Sequence, residues 1–343
     1  MFVLFVSSWL ISLSHPFMTR SALTIWTNAK FSDDVRAALA ANVAPHRLIY
    51  SAEANESNLA AAPVDPRLAV ADIAFGQPDV EQVMRLENLK WIHLTTAGYT
   101  AYDRDDFKNA LRARGAAMTN SSGVYDDPCA QHALAMMLAF ARRLPESLMT
   151  QFDDRAWNWM RRRSESFLLN GQTALLFGFG AIAIRLCELL APFRMNLIGV
   201  RRTVKGAEPI RVMTEEQVAE FLPRADHVVN LLPGSDSTTR YFNEDRFRRI
   251  KPGAFFYNIG RGSTVDQGAL LEALKRGSLA GAYLDVTTPE PLPSDHPLWS
   301  APNCFITPHT AGGTNREQHE LIGHFLENLR RFAGGAELLD RIV

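Results

Sequence analysis

An arginine, a glutamate and a histidine attract attention because each comes shortly after a short apolar run in the second half of the chain. Arg261 follows the run ending Asn258-Ile259-Gly260, Glu290 lies a few residues beyond the run ending at Asp285, and His309 comes just after Phe305–Thr307. These three groups suit reduction of a 2-keto acid. A guanidinium holds a carboxylate through two parallel hydrogen bonds. An imidazolium gives a proton to the carbonyl oxygen as a hydride reaches the carbon. Free imidazole titrates near ~6.5, and a carboxylate beside it favours the charged form and fixes the tautomer. Glu290 is the candidate for that second role. Singly, each residue has a plainer reading: a surface cation, a loop charge, a structural histidine among the nine present. His93 and His132, for instance, sit in apolar runs and read as core or interface groups. The shared placement of Arg261, Glu290 and His309 after apolar runs sets them apart.

That placement depends on the elements around them. Thr173–Phe177, Asn196–Val200, His227–Leu232, Ala254–Ile259, Ala282–Asp285 and Phe305–Thr307 read as six strands, with helical patterns at 181–191, 214–222, 243–249 and 267–276. Such a βαβ succession predicts an α/β, doubly wound dinucleotide-binding sheet, in which ligands bind outside the carboxyl ends of the strands. The first half is a smaller α/β domain, with strands at Leu23–Thr27, Arg47–Tyr50, Asp72–Phe75, Trp91–Leu94 and Ala117–Thr119 and helices near 32–42, 79–85 and 105–114. Between the halves, Asp126-Asp127-Pro128 predicts a helix start, since the acid caps free N–H groups and proline lacks one. The following CAQHALAMMLAFARRL is apolar on nearly every face, as a helix buried between two domains would be.

The first strand of the second half runs into Gly178-Phe179-Gly180-Ala181-Ile182-Ala183. Gly178 permits the tight turn, Gly180 lets the backbone approach a pyrophosphate, and Ala183 packs helix on sheet; the N–H groups opening the helix, at Ala181 and Ile182, face the diphosphate. At the end of the next strand, where an acid would bind the adenosine ribose of NAD, stand Arg201 and Arg202. An acid repels a 2′-phosphate and a guanidinium binds it, so NADP(H) is the expected cofactor, with NAD(H) possible.

The chain has 343 residues, which favours two domains, and 36 Lys plus Arg against 37 Asp plus Glu, a net charge of −1 that argues against nucleic-acid binding. Cys129, Cys187 and Cys304 are too dispersed for a CxxC metal pair or a disulfide framework, and no metal site is expected. Residues 1–14 are apolar but too short to span a bilayer, and no basic residue precedes them; residues 1–17 read as an upstream start or loose extension before Met18, and the protein as cytoplasmic.

The stretches LKWIHLTTAG, ALLFGFGAIAIRL, NLLPGSDSTTRYFN, KPGAFFYNIGRGSTVDQGALLEALKRGSLAGAYLDV, PEPLPSDHPLW and PNCFITPHTAGG resemble the D-isomer-specific 2-hydroxyacid dehydrogenases, and the likeness covers nearly everything after about residue 70. The resemblance implies that the catalytic Arg, Glu and His are Arg261, Glu290 and His309. It implies that Thr96-Ala97-Gly98 offers backbone N–H groups, together with Arg261, to the substrate carboxylate. Leu232-Pro233 would line the cofactor and Asp285 would lie near the nicotinamide amide. It also implies a Rossmann domain over 121–314 and a flavodoxin-like substrate domain from 18–120 and 315–343, joined by a C-terminal helix near 315–333. A homodimer is implied as well, with Trp157-Asn158-Trp159 on its arm. Four positions depart from the commonest pattern: Ala183 for a third glycine, Arg201 for the acid, Gln131 for a glutamate, and Thr287-Thr288 for an aromatic–glutamate pair.

The leading reading is NADPH-dependent reduction of a small 2-keto acid, such as glyoxylate or hydroxypyruvate, to the D-2-hydroxy acid. The alternatives are oxidation of a phosphoglycerate-like substrate and a non-catalytic, dinucleotide-sensing interaction protein, which the fold by itself leaves open.

Overall fold

The computed structural model describes residues 22–55 and 63–343, so the proposed extension over 1–17 lies outside the described residues. The first sheet is built from β1 (Thr24–Ala29), β2 (Arg47–Asn55), β3 (Ile73–Phe75), β4 (Trp91–His93) and β5 (Ala117–Thr119). Its order is β2-β1-β3-β4-β5 and its pairings are all parallel, the order of flavodoxin-type sheets. Helices α1 (Asp33–Asn42), α2 (Val80–Arg85) and α3 (Asp105–Ala113) supply crossovers. Parallel strands require such crossovers and are therefore buried on both faces; β3, β4 and β5 are buried along their whole length.

The long helix α4 (Ser122–Ala141) leads out of this sheet, followed by α5 (Leu144–Phe152) and α6 (Trp159–Glu165). The second sheet then contains β6 (Thr173–Phe177), β7 (Asn196–Val200), β8 (Arg211–Met213), β9 (His227–Asn230), β10 (Ala254–Asn258), β11 (Leu279–Leu284) and β12 (Cys304–Ile306). Its order is β12-β11-β10-β9-β6-β7-β8, again all parallel. The winding direction reverses between β6 and β9, the switch point at which such sheets bind nucleotides. The crossovers include α7 (Ala181–Leu190), α8 (Glu215–Val218), α9 (Glu244–Arg249) and α10 (Gln267–Lys275). The closing helix α11 (Glu317–Gly334) returns to the first sheet, where Phe325 stacks on Phe75 with centroids 4.1 Å apart and on Trp91 at 5.4 Å.

Two sequence expectations need correction. The second sheet has seven strands, not six. Strand β8 has only three residues, Arg211-Val212-Met213, and sits on the edge with one neighbour, so it lacks the apolar run that marks a strand buried on both faces. Helix α4 begins at Ser122, more than a turn before Asp126, and Pro128 lies inside it. Asp127 is not a cap; its carboxylate pairs with Arg185 at 2.6 Å. The true start is held by one adjacent and one distant side chain. Asn120 Oδ1 accepts from the Ser122 N–H at 3.2 Å, and Asp340 Oδ2, far along the chain, accepts from the Gly123 N–H at 2.7 Å. The helix is apolar all round because it has neighbours on two sides: Ala130, Ala133, Met137 and Phe140 are buried with α7 and the second sheet, while Val124 joins the core of the first.

Asp340 also lies 3.1 Å from His324 Nε2. Burial pushes its carboxyl pKa up, but His324 and the Gly123 N–H outweigh this and hold it below the ordinary value. A carboxylate whose pKa is lowered by folding stabilises the fold above its unfolded pKa, and that contribution is lost as pH falls through the folded value. Asp340→Ala is therefore expected to cost about 1–2 kcal/mol at about pH 7. The deficit should shrink as pH falls below the ordinary aspartate value of about 3.9 and through the lower value of folded Asp340, where the wild-type carboxylate itself becomes protonated. Urea midpoints of both proteins across this range measure it; a deficit independent of pH would mean that the carboxylate charge is not what anchors the helix.

Candidate active site

Strand β6 ends at Gly178, whose φ of 94° is a left-handed conformation and whose added Cβ would lie 2.6 Å from the Leu231 carbonyl oxygen. Only glycine meets both demands without strain. Gly180 stands at the N-cap of α7, with no side chain capping the helix and no other heavy atom within 4 Å of where a Cβ would point. Open space thus faces the free N–H groups of the first turn at Ala181 and Ile182, the arrangement that receives a diphosphate. Ala183 is fully buried against the sheet. These residues fit a dinucleotide.

Beyond β7, Arg201 Nη1 lies 3.4 Å from Glu208 Oε1. The Glu208 carboxylate also accepts the Lys205 and Gly206 N–H groups at 2.7 Å each, so it closes the loop over 201–208 and takes hold of Arg201. Sequence reading missed Glu208, whose only sequence signal is an acid downstream of an arginine pair. Arg202 Nη2 donates to Ser237 Oγ at 3.4 Å in the loop beyond β9. Leu232 and Pro233 begin that loop. The Leu232 N–H donates to Asn230 Oδ1 and the Pro233 carbonyl accepts from the Thr238 hydroxyl, which shapes the wall beside Gly178.

The loop after β4 carries Thr96, Ala97 and Gly98. Gln77 Nε2 donates to the Thr95 and Thr96 hydroxyls at 3.3 and 3.0 Å, Asn120 Nδ2 to the Ala97 carbonyl at 2.6 Å, and Tyr125 OH to the Thr95 carbonyl at 2.9 Å. The Arg261 guanidinium packs directly on Gly98, where a Cβ would overlap its Nη2 atom. The first sheet's loop and the second sheet's arginine therefore meet.

Arg261 follows β10. Its carbonyl accepts from Thr264 Oγ1 at 2.6 Å and Asn258 Nδ2 at 3.2 Å, and Asn230 Nδ2 bridges Asn258 and Thr264 at 2.9 and 2.7 Å. This buried polar network fixes the turn and was not read from the sequence, although β9 and β10 both end in asparagine. Burial lowers the guanidinium pKa from its ordinary value, with Glu290 acting in the opposite direction.

His309 has φ 54°. Its N–H donates to the Asp285 carbonyl at 2.8 Å, and the Asp285 carboxylate accepts the Thr307 hydroxyl at 2.6 Å and the Thr310 and Ala311 N–H groups at 2.8 and 3.0 Å. Asp285, 3% exposed, thus anchors the backbone that carries the imidazole. His309 Nδ1 lies 2.8 Å from Glu290 Oε2, while Glu290 Oε1 accepts the Thr287 N–H at 2.9 Å. Burial pushes the Glu290 carboxyl up, but His309, the Thr287 N–H and Arg261 hold it below the ordinary carboxylate value. Arg261, Glu290 and His309, with Ser263, Thr287 and Thr288, line one cavity of about 210 Å3. The Thr287-Thr288 departure therefore sits in the wall of the cavity. Gln131 lies outside it, on the exposed side of α4, 3.4 Å from Asp127. His93 is fully buried against Thr119 Oγ1, and His132 stacks on Tyr283, both away from this cavity.

Comparison with known proteins accords with this geometry. Residues 134–311 match the family model of the D-isomer specific 2-hydroxyacid dehydrogenase NAD-binding domain. A glyoxylate reductase/hydroxypyruvate reductase of Mus musculus is 32% identical over 263 residues, 73% of this chain and 77% of the mouse protein. Among solved structures, a D-isomer specific 2-hydroxyacid dehydrogenase from Xanthobacter autotrophicus Py2, in complex with NADPH and MES, superimposes with a TM-score of 0.77 at 25% identity, over 94% of this chain and 98% of the other. An NADPH-dependent glyoxylate/hydroxypyruvate reductase from Sinorhizobium meliloti, in complex with NADP and malonate, gives 0.71 at 25% identity, over 94% and 97%. With a matching family model, relatives of this extent and a parallel sheet that brings Arg261, Glu290 and His309 to one cavity, the chain belongs to the D-isomer specific 2-hydroxyacid dehydrogenase family of NAD(P)-dependent oxidoreductases.

Proposed function

We propose that the protein reduces a small 2-keto acid of the glyoxylate or hydroxypyruvate type to the D-2-hydroxy acid with NADPH. The observation that carries this reading is the single small cavity shared by a guanidinium, an imidazole and a carboxylate. A volume of about 210 Å3 suits a short acid. Arg261 binds the substrate carboxylate, helped by backbone N–H groups of Thr96-Ala97-Gly98. Glu290 engages Nδ1 of His309, which leaves Nε2 to face the keto oxygen and deliver the proton. A nicotinamide dinucleotide held at Gly178, Gly180 and the N-terminus of α7 would supply the hydride to the keto carbon. His309 Nε2 would give its proton to the oxygen, so that C=O becomes CH–OH, and solvent would then reprotonate the imidazole. Residues 121–314 serve the dinucleotide and residues 18–120 with 315–343 the substrate; Arg261, which lines the cavity, packs on Gly98 of the second group. The names of the mouse and Sinorhizobium proteins support the substrate class.

Arg201 and Arg202 favour NADPH by pairing with its 2′-phosphate, and NADPH in the Xanthobacter complex and NADP in the Sinorhizobium complex support this choice. We also place a second copy of the chain against α5 and α6. Leu148, Met149, Phe152, Trp157, Trp159 and Met160 are all exposed there, Phe152 by 84% and Trp157 by 89%, and an apolar patch of this kind marks an association surface. No described helix is long and apolar enough to cross a membrane, which is compatible with a cytoplasmic enzyme.

A spectrophotometric panel of 2-keto acids with NADPH and NADH tests the reading as a whole. His309→Ala should lower kcat by about a thousandfold and leave NADPH binding intact; near-normal turnover would remove His309 from proton transfer. Arg201→Asp should reduce the preference for NADPH over NADH by about 10- to 100-fold, read as the ratio of kcat/KM values, and an unchanged ratio would refute the phosphate role. The double variant Phe152→Asp, Trp157→Asp should sediment as a monomer where the wild type sediments as a dimer; equal sedimentation would show that the patch does not join two copies.

A further inference from the structure

The catalytic glutamate sits on a loop, and the loop is gripped by a residue outside it. Gln267 is the first residue of α10, the helix that follows the Arg261 turn. Its Oε1 accepts the Thr288 N–H at 2.8 Å and its Nε2 donates to the Thr288 carbonyl at 2.8 Å. One amide side chain thereby satisfies both polar groups of one backbone residue, as a neighbouring strand would. The segment it holds is short and consequential. Thr287, next in the chain, gives its N–H to Glu290 Oε1, and Glu290 Oε2 holds His309 Nδ1. Thr288 is exposed and its side chain makes no hydrogen bond among the described residues, so the backbone clamp ties this end of the loop to α10. The helix that offers the clamp is itself pinned: Asp266 caps it through the Ala269 N–H at 3.1 Å.

We propose that Gln267 is a positioning residue for the Glu290–His309 pair: by clamping the Thr288 backbone it fixes the Glu290 carboxylate against Nδ1 and so keeps Nε2 aimed at the substrate. The proposal rests on the role given to His309 above. Gln267 touches neither substrate nor reacting atoms. Its effect passes through one peptide and one carboxylate, and displacement of a proton donor by a fraction of an ångström is enough to slow a reaction that needs a near-attack geometry. Partners that orient a catalytic group in this way commonly contribute about tenfold or more when they are removed.

The test compares wild type, Gln267→Ala and Gln267→Glu, all as full-length protein. Both substitutions suit the first position of a helix, and the glutamate keeps the acceptor for the Thr288 N–H while losing the donor. Expected for Gln267→Ala is a fall in kcat of about tenfold, with NADPH dissociation constant and Tm unchanged, and for Gln267→Glu an intermediate loss. Nitrogen-15 imidazole spectra, with the His309 signals assigned by their absence in His309→Ala, provide a readout that needs no turnover. The wild type should show a single form with Nδ1 engaged, and Gln267→Ala a mixture of tautomers. An unchanged imidazole spectrum overturns the proposal whatever the rate does. A changed spectrum with kcat within about twofold of wild type overturns the positioning role, as does a fall in kcat matched by loss of cofactor affinity. A wild type inactive towards every keto acid would instead defeat the proposed reaction, and the spectrum would still decide whether the clamp acts on His309.

Discussion

A guanidinium placed in a partly buried cavity without a carboxylate partner is the constraint around which this molecule is arranged. Among the described residues no carboxylate oxygen lies within ion-pair distance of Arg261, and burial lowers its pKa from the ordinary value. Such a cation is poorly solvated and unneutralised, which costs free energy in the free protein and makes the position receptive to an anion. The surrounding structure keeps it there. Asn230, Asn258 and Thr264 bind the backbone of the Arg261 turn, and Gly98 accepts the side chain because it has no Cβ to obstruct it. Glu290 is close enough to bias the guanidinium electrostatically, yet its oxygens are spent on His309 and Thr287. The carboxylate therefore engages the imidazole and leaves the guanidinium without an ion-pair partner among the described residues.

The parallel sheet explains how three side chains so far apart along the chain reach one cavity. In a parallel sheet every strand ends at the same edge, so loops after β10, β11 and β12 emerge side by side. Arg261, Glu290 and His309 occupy those three loops in strand order. The same edge, two strands further along, presents Gly178 and the open N-terminus of α7. The Arg201–Arg202 loop follows β7 at this same edge, so the glycine turn, the arginine pair and the Arg261–Glu290–His309 cavity all lie along one side of the sheet.

Loops would be poor carriers of a fixed constellation of side chains if they were free, since connecting segments are the most mobile parts of a fold. Each of the three is tied down by a different polar device. The Arg261 turn has its asparagine network, the His309 turn hangs from the Asp285 carboxylate, and the Glu290 loop is gripped by Gln267. The first sheet contributes in the same way, with Gln77, Asn120 and Tyr125 holding the backbone around Thr96. Helix α4 and α11 couple these regions physically: Tyr125, on α4, bonds both Thr95 and Glu317 at 2.9 Å.

By itself the sequence determined the alternation of strands and helices, the glycine turn at 178–180 and the three chemical residues after their strands. Each of these is written in a local pattern: apolar runs of strand length, a glycine spacing, a polar residue at a strand's end. Even the departure at Arg201 was legible, because the position is counted from a strand. Only the tertiary structure decided features that join distant segments. The start of α4 depends on Asp340, and β8 exists because β7 offers it an edge. Gln267, at the start of α10, reaches across to hold Thr288 in the loop after β11. In these cases a side chain of ordinary type acquires its role from a backbone group or a charge that proximity along the chain does not supply, so no spacing in the sequence announces it.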